Sequence, residues 1–373
     1  MKAIGVMKAD GLALSLPGFR QFSLGGLALR CGERDIPDPA FDPESPEGAG
    51  VAAVDVRTVS VNYRDRAIIC QGMVSARTNA FLAFGSEFCG EVAAIGRAVT
   101  DLTVGDRVIG VFAFPEPVAE GHLPGVVSNH CSVGRLVLPA CKLMRIPSAM
   151  SDEIAAAFTL NALTVTAMLR RLRLTAGERL LVLGGGSNVS LFASSAASAR
   201  GMDVTVVTTS ARHASALADR CGGRVIVLDD PSGGLEGCTE LMADVNERGL
   251  YAGVVDPFMD VHLMQAPLVM DQGGRYVTCG MARQIDGDAV ALAVDSERLA
   301  AVFYTHLMLK NLTVMGNCLG TLADQQQALR EWEAGRLIVH LDHVFGSGEE
   351  LEFLERGFLD PDRLGKVVYR FGT

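Results

Sequence analysis

Leu180–Ser198 reads LLVLGGGSNVSLFASSAAS, and this stretch decides the fold that the sequence predicts. An apolar run leads into three consecutive glycines, Gly184, Gly185 and Gly186, and a segment of helical length with many small residues follows them. Backbone without Cβ atoms can turn tightly and approach a pyrophosphate, whose charge is bound by N–H groups at a helix N-terminus. A glycine-rich turn between a strand and a helix therefore predicts a dinucleotide-binding site.

Strand and helix patterns alternate along the chain around this turn. Six apolar runs of strand length are separated by segments of helical length, and they lie at 179–184, 203–209, 224–229, 252–258, 275–281 and 312–318. Buried strands that alternate with helices are typical of a parallel, doubly wound sheet. We therefore predict a Rossmann-type α/β domain with a six-stranded parallel sheet, in which the glycine turn follows the first strand.

The rest of the chain has a different pattern. The first 155 residues contain short strand patterns bounded by Gly, Pro or Asp, at 51–60, 91–95, 106–111 and 135–139. Such spacing is typical of a β-rich barrel or sandwich. A helical pattern at 322–335 and a closing strand pattern at 365–371 follow the last Rossmann strand. We therefore predict a β-rich domain at 1–155 that is completed by 322–373, with the nucleotide domain at 156–321 inserted between its parts.

Composition limits the classes of partner. The 373 residues carry 33 Lys plus Arg against 43 Asp plus Glu, a formal charge of −10, which argues against nucleic acid or an anionic membrane as the main partner. No apolar run reaches about 18 residues without a charge or a breaker, so no membrane span is predicted. The nine cysteines form no CxxC pair, which favours reduced thiols and a cytoplasmic location over a disulfide framework or a four-cysteine zinc lobe.

The glycine turn departs from the usual dinucleotide fingerprint. Ser187, Asn188 and Ser190 stand where glycines are expected, and Val189 lies among them at the start of the predicted helix. Asn tolerates a left-handed backbone and Ser is a competent N-cap, so the turn can still form. We predict that residues 184–189 bind the cofactor; the alternative is a tight turn without a ligand.

The end of the second Rossmann strand indicates which dinucleotide is bound. A site selective for NAD places Asp or Glu about 20 residues after the glycines, where it binds the ribose hydroxyls. Here that segment contains no carboxylate and offers Thr208, Ser210, Arg212 and His213 instead. A guanidinium makes charge-assisted hydrogen bonds to phosphate oxygens, so these residues predict NADPH as the cofactor. The alternative for Arg212 is a solvated residue at a helix start.

Several segments together resemble a known family. They fall in its order and cover nearly the whole chain: VNYRD (61–65), GSEFCGEVAAIG (85–96), VGDRVIG (104–110), the glycine turn, GGRYVTCGM (273–281), NLTVMGNCLGT (311–321) and LGKVVYRF (364–371). The chain resembles the medium-chain dehydrogenase/reductase superfamily, and within it the zinc-independent quinone oxidoreductase and enoyl reductase branch. The resemblance implies a GroES-like catalytic domain split around a Rossmann domain, an active site in the cleft between them, and a homodimer formed through the last Rossmann strand.

Zinc can be tested against the resemblance position by position. Zinc-dependent relatives place a cysteine, a His-Glu pair and a further ligand where this chain has Asn62, Ser86 with Glu87, and Leu160. The cysteine-rich lobe that would follow VGDRVIG is also missing, because residues 112–129 contain no cysteine. Tetrahedral zinc needs three or four converging ligands, and only Glu87 remains. We therefore expect a zinc-independent protein.

Without a Lewis acid, an activated C=C bond is an easier substrate than a simple alcohol or ketone, because its carbonyl absorbs the developing charge. At the substrate-facing position of the family, Asn62 would hold a carbonyl and Tyr63 would donate a hydrogen bond or a proton. The alternative is that both residues are structural, with Asn62 as a turn residue and Tyr63 as a half-buried aromatic.

Asp65 is expected to be structural, paired with Arg64 or Arg107. A tyrosine proton donor of some enoyl-thioester reductases is replaced by Val74.

Further cofactor positions follow from the resemblance and from strand ends. Asn161 and Thr164 correspond to family positions near the nicotinamide carboxamide, whereas Cys279, Gly280 and Asn317 follow the fifth and sixth strands, where ligands bind in doubly wound sheets.

The predicted function is NADPH-dependent reduction of a small-molecule quinone, enone or enoyl thioester. The alternatives are a non-catalytic or repurposed member that binds a metabolite or a partner, and an imine or carbonyl reductase.

Overall fold

A computed structural model of the chain describes residues 1–9, 18–230, 234–282 and 296–372. Its strands, in chain order, are β1 (Lys2–Lys8), β2 (Arg20–Leu24), β3 (Leu27–Asp35), β4 (Val51–Ser60), β5 (Leu82–Ala83), β6 (Glu87–Ile95), β7 (Arg107–Gly110), β8 (Arg135–Pro139), β9 (Leu143–Arg145), β10 (Arg179–Val182), β11 (Asp203–Thr208), β12 (Arg224–Val227), β13 (Tyr251–Asp256), β14 (Met270–Thr278), β15 (Thr313–Gly316), β16 (Leu341–Phe345) and β17 (Lys366–Arg370).

The α-helices lie between these strands. They are α1 (Tyr63–Ser75), α2 (Asp152–Ala156), α3 (Thr159–Leu172), α4 (Asn188–Ala199), α5 (Ala214–Cys221), α6 (Gly234–Gly237), α7 (Thr239–Arg248), α8 (Met259–His262), α9 (Ala266–Val269), α10 (Ser296–Leu309), α11 (Leu322–Glu333) and α12 (Glu350–Phe358). None of the helices in the described part of the chain combines the length and the apolar character that crossing a membrane would need.

The chain divides into two units. The first contains Met1–Leu160 and Leu341–Thr373, and the second contains Asn161–His340. This division differs from the predicted boundaries at 155 and 321, because α11 lies in the second unit. Within the second unit, Arg170 on α3 donates to both carboxylate oxygens of Asp324 on α11, at 2.7 and 2.9 Å.

The first unit is built on two sheets. One is a four-stranded antiparallel sheet in the order β2-β3-β1-β5, and the other joins β16-β17-β4-β6-β7-β9, with β8 also paired to β4. The late strand β17 therefore lies beside β4, and its Val368 is opposite Ser60. Ser60 is in turn opposite Glu87 on β6. Residues far apart in the chain thus become neighbours on three adjacent strands.

The second unit contains the predicted parallel sheet. Its six strands lie in the order β12-β11-β10-β13-β14-β15, and every pair is parallel, which confirms the doubly wound fold. Tyr251, Val254 and Tyr276 are completely or almost completely buried in one core cluster of this unit. The apolar runs that predicted the strands therefore form its hydrophobic core.

Two consecutive helices, α2 and α3, follow Ser151. Ser151 caps α2, since its Oγ accepts a hydrogen bond from the Ile154 N–H at 3.3 Å.

Candidate functional site

The first two glycines of the turn after β10 are required by packing. Gly184 has φ of +60°, and a Cβ atom there would lie 2.7 Å from the ring of Phe258. A Cβ atom on Gly185 would lie 2.6 Å from Cγ1 of Val206, and the Gly185 N–H donates to the carbonyl of Val207 at 2.8 Å. Both glycines therefore let the turn sit tightly against neighbouring strand ends.

The third glycine faces open space. Apart from Gly186 itself and its two neighbours in the chain, no atom of the described residues lies within 4 Å of the position where Gly186 would carry a Cβ atom. Ser187 caps α4 because its Oγ accepts from the Ser190 N–H at 3.1 Å, and the half-buried Asn188 and Val189 begin the helix. The first N–H groups of a helix lack partners within it. An accessible backbone next to such a helix start fits the pyrophosphate of a dinucleotide.

Ser190 explains how the turn tolerates a departure from the fingerprint. Its side chain is completely buried, and its Oγ donates to the carbonyl of Leu183 at 2.6 Å. The hydroxyl therefore binds the end of β10 and lies within the core. A serine at this position does not fill the open space beside Gly186.

The end of β11 brings the other predicted cofactor residues into one short segment. Thr208 is buried, and its Oγ1 accepts from the Ser210 N–H at 3.2 Å. The Ser210 Oγ is buried and has no hydrogen-bond partner within the described ranges of the chain. Arg212 and His213 follow in a 3-10 turn, where Arg212 is exposed and His213 is half-buried. This segment offers hydroxyl, guanidinium and imidazole donors, which fit a phosphate group.

The ends of β14 and β15 lie side by side. The Asn317 N–H donates to the carbonyl of Thr278 at 2.7 Å, and its Oδ1 accepts from Arg171 at 3.0 Å. Burial raises the pKa of Cys279 to about 12, so this thiol stays protonated at neutral pH. The carboxyl edge of the sheet thus carries three of the predicted residues: Cys279, Gly280 and Asn317.

The structure places Asn161 and Thr164 on α3, which lies mainly in the second unit. Both side chains are buried. Because they are three residues apart, they lie on the same face of the helix.

In the first unit, Asn62 lies at the centre of a buried polar cluster. It is the N-cap residue of α1, and its backbone N–H donates to Oδ2 of Asp65 at 2.8 Å. Its side-chain Nδ2 donates to Oε2 of Glu87 at 2.7 Å, and its Oδ1 accepts from Nζ of Lys366 at 2.8 Å. We call Asn62, Glu87 and Lys366 the buried amide cluster.

Glu87 and Lys366 form an ion pair inside the first unit. Their N–O distance is 2.6 Å, and their side chains are 1% and 0% exposed. Ser60 also donates to Oε2 of Glu87, at 3.2 Å, and the Leu160 N–H at the start of α3 donates to Oε1 at 2.5 Å. Both carboxylate oxygens are therefore satisfied, as a buried charge requires.

Sequence reasoning missed Lys366. The residue was included only in a closing strand pattern, although a lysine followed by Val367 and Val368 in such a strand is a signal of its own. Lysine is almost never completely buried unless it is paired. An apolar strand that contains one lysine therefore predicts a buried carboxylate elsewhere, but not which carboxylate.

Asp65 sits beside the buried amide cluster. It accepts from Ser86 Oγ at 2.9 Å and pairs with Arg64 at 3.3 Å, whereas Arg107 pairs with Asp152. Burial raises the pKa of Asp65 above its usual range. Of the two partners considered from the sequence, Arg64 is the one that Asp65 contacts.

Tyr63 is the first residue of α1 and remains 40% exposed. Its hydroxyl accepts a hydrogen bond from Arg66 at 3.0 Å, and the Arg66 guanidinium lies 5.6 Å from the centre of its ring. A cation that contacts both the ring and the hydroxyl restricts the orientation of the side chain. Val74, on the same helix, is exposed.

In the described part of the chain, no three His, Cys, Asp or Glu side chains lie close enough together to hold a metal ion. The three positions that correspond to zinc ligands in zinc-dependent relatives do lie together, since Asn62 and the Leu160 N–H both contact Glu87. Their donor set is an amide, a backbone N–H and a carboxylate that is already paired with Lys366.

Comparisons with known proteins agree with this architecture. Residues 48–141 match the alcohol dehydrogenase GroES-like domain family. The chain is 26% identical over 353 residues to acryloyl-coenzyme A reductase of Metallosphaera sedula, which covers 90% of this chain and 95% of that protein. It is 30% identical over 167 residues to a quinone oxidoreductase-like protein 2 homolog of Nematostella vectensis, which covers 44% and 42% of the two chains.

Longer proteins also contain a related segment. A match to erythronolide synthase of Saccharopolyspora erythraea is 32% identical over 194 residues, but it spans only 5% of that synthase and 52% of this chain. Among solved structures, the chain is similar to an NAD-dependent alcohol dehydrogenase, with a TM-score of 0.74 and 20% sequence identity. The match covers 100% of both chains. Together, these matches support the medium-chain dehydrogenase/reductase superfamily of oxidoreductases, and its quinone oxidoreductase and enoyl reductase-like branch, as the group of proteins that this chain is similar to.

Proposed function

We propose that the protein is a zinc-independent, NADPH-dependent reductase of an activated C=C bond in a small molecule, such as a quinone, an enone or an enoyl thioester. The observation that carries this proposal is the ion pair between Glu87 and Lys366 beside Asn62. At the position where zinc-dependent relatives bind their metal, the one carboxylate is neutralised by an ammonium of the same chain. Such a donor set does not fit a Lewis-acid metal, so the substrate itself must accommodate negative charge.

The proposed cofactor residues fall into two groups in the second unit. Residues 184–189 would hold the pyrophosphate, because Gly186 leaves open space beside the start of α4. Thr208, Ser210, Arg212 and His213 would hold the 2′-phosphate, and the unpartnered Ser210 Oγ supplies a donor there. When bound, the reduced nicotinamide supplies a hydride.

The proposed substrate residues lie at the start of α1. We assign to Tyr63 a hydrogen bond to the carbonyl oxygen of the substrate, because its side chain is 40% exposed and its orientation is restricted by Arg66. We assign to Asn62 the role of a polar side chain that lines the site beside this oxygen. Donors that are already oriented stabilise negative charge on oxygen without further reorganisation, which is how this segment would lower the barrier.

The names of two relatives support the substrate class. One is an acryloyl-coenzyme A reductase and the other a quinone oxidoreductase-like protein, and both names denote an electron-poor double bond or quinone system. We therefore include both an enoyl thioester and a quinone among the test substrates.

The test combines binding, turnover and metal analysis on the purified protein. Fluorescence titration should show tighter binding of NADPH than of NADH, and NADPH should be consumed with acryloyl-coenzyme A, an enone or a benzoquinone. Elemental analysis should find far less than one zinc per chain. Tighter binding of NADH, stoichiometric zinc, or a ligand-binding protein that oxidises no NADPH would each contradict the proposal.

A further inference from the structure

Lys366 is completely buried, so its ammonium cannot contact the substrate directly. Its ammonium donates to Oε2 of Glu87 at 2.6 Å and to Oδ1 of Asn62 at 2.8 Å. Taking an ammonium out of water is costly, and a buried ion pair is often no more stabilising than apolar residues of similar volume. Stability alone therefore does not explain why a lysine is buried at this position.

The pair determines how the Asn62 amide is turned. An ammonium has only donors and a carboxylate has only acceptors, so the amide oxygen must face Lys366 and the amide nitrogen must face Glu87. Reversal of the amide would place donor against donor and acceptor against acceptor. Both distances, 2.8 and 2.7 Å, agree with the one satisfied orientation.

Glu87 also accepts hydrogen bonds from two further groups. Its Oε1 accepts from the Leu160 N–H at the start of α3, and its Oε2 accepts from Ser60 on the neighbouring strand. A carboxylate at a helix N-terminus is favoured by the helix dipole. The buried amide cluster therefore connects β17, β4, β6 and α3 to the residue that caps α1.

Asn62 and the adjoining Tyr63 are the two residues that the proposed function assigns to the substrate. We propose that Lys366 is a positioning residue, which acts with Glu87 to hold the Asn62 amide in one orientation and thereby fixes the start of α1, including Tyr63. This inference rests on the proposed function. Catalysis depends steeply on the placement of such groups, so the pair matters for turnover more than for folding.

Lys142 provides a matched control in the same unit. Its side chain is also buried, and its ammonium donates to the carbonyl of Gly125 at 3.1 Å. Lys142 lies outside the buried amide cluster. Replacement of Lys142 by Met therefore removes a buried ammonium without any effect on the Asn62 amide.

The first experiment compares the double variant K366M/E87Q with K142M. Removing both charges avoids an unpaired buried charge, so the double variant is expected to fold. We expect kcat to fall about 100-fold in the double variant because the donors lose their placement, while NADPH affinity changes less than about twofold. K142M should retain kcat and KM. Retention of kcat and KM by the double variant would overturn the proposal.

K366R tests the same idea with the charge kept. Arg can still donate to both oxygens, so this variant should retain more of the wild-type kcat than the double variant does. An equal loss in both variants would contradict positioning by the ammonium and would indicate that only packing matters.

A second readout does not depend on activity. In protein labelled with ¹⁵N-asparagine, the side-chain amide of Asn62, assigned with N62D, should give one set of signals in the wild type and in K142M. In K366M/E87Q we expect a shifted or doubled set, because both amide orientations become possible. Unchanged Asn62 signals would overturn the positioning role. If the wild type reduces no activated alkene, the proposed function fails, while this spectrum still decides the role of Lys366.

Discussion

At the scale of single residues, the three glycines of the turn have different tasks. A side chain on Gly185 would collide with Val206, whereas one on Gly186 would enter open space. A Gly-to-Ala substitution at position 185 is therefore expected to affect folding, whereas the same substitution at position 186 is expected to affect ligand binding.

We predict that G185A lowers the free energy of unfolding by about 1–3 kcal/mol, because the added methyl group overpacks the strand ends. G186A should leave the melting temperature nearly unchanged and weaken NADPH binding, because its methyl group projects where the pyrophosphate is expected. Thermal unfolding and fluorescence titration of both variants check this. A G186A protein that binds NADPH as tightly as the wild type would contradict the assignment of the turn.

Arg212 is the residue on which cofactor selectivity is expected to depend. Hydrogen bonds to charged groups contribute about 1.5–3 kcal/mol, so R212A should weaken NADPH binding by roughly tenfold or more. NADH binding should hardly change, since NADH lacks the 2′-phosphate. R330A, which removes an exposed arginine bonded to Gln327 on α11, serves as the control and should affect neither cofactor. Equal weakening of both cofactors in R212A would contradict NADPH selectivity.

At the scale of elements, α11 shows how a few side chains assign a helix to a unit. Asp324 accepts from Nε and Nη2 of Arg170, and it also accepts from the N–H and the hydroxyl of Thr321, which caps the helix. The Asp324 carboxylate therefore completes the N-cap of α11 and also binds α11 to α3.

Replacement of this carboxylate should loosen α11. We expect D324N to lower the free energy of unfolding by about 1.5–3 kcal/mol, since it weakens hydrogen bonds to a charged group. Chemical denaturation measures this difference. E333Q, at the last residue of the same helix and on its exposed side, is the control; an equal effect of both substitutions would argue against the Asp324 contacts as the cause.

Whether a feature could be predicted from the sequence depends on how far apart in the chain the residues that form it lie. The glycine turn and the parallel strands could be predicted because their signals lie within about ten residues of one another. The partnership of Lys366 with Asn62 could not, because the two residues are 304 positions apart and no local pattern connects them. The direction of Ser190 was also beyond sequence reasoning, since the choice between cofactor space and the Leu183 carbonyl is a tertiary one.

At the scale of the whole molecule, stability should fall in acid. Burial by itself would raise the pKa values of Asp324 and Asp342, but hydrogen bonds from Arg170 and Arg356 hold both below the usual range. A carboxylate with a lowered folded-state pKa contributes stability above its unfolded pKa, near 4, which is lost as the pH falls through the folded value. Asp65, whose pKa is raised, acts in the opposite direction.

The melting temperature should therefore decline as the pH falls below about 4 to 5. In D324N this decline should be shallower, because one of the carboxylates responsible is absent. A steeper or identical decline in D324N would contradict the contribution of Asp324. Differential scanning calorimetry over a pH series measures both slopes.

A homodimer is the expected assembly. β15 pairs only with β14, so its outer edge has no neighbour among the described strands. Four apolar side chains on α10 and β15 are 39–69% exposed: Tyr304, Met308, Leu309 and Val314. An unpaired edge beside exposed apolar residues favours pairing with a second copy.

Light scattering should give about twice the chain mass of 39.5 kDa. The double variant M308E/V314E should shift the protein toward monomer, because it places charges in the apolar surface. L123E, which changes an exposed leucine of the other unit, should leave the assembly unchanged. A monomeric wild type would refute this expectation.

The return of β17 to the first unit has a consequence for biosynthesis. Glu87 lies 279 residues before its counter-ion, and the whole second unit is translated between them. Domains generally fold as units during synthesis, so the continuous 161–340 segment can mature while the earlier segment still lacks its last strand. Until Lys366 emerges from the ribosome, closing the core around Glu87 would bury its carboxylate without a counter-ion. Completion of the first unit is thus a late, long-range event, and a nascent chain arrested before β17 should keep that unit open to chaperones and proteases.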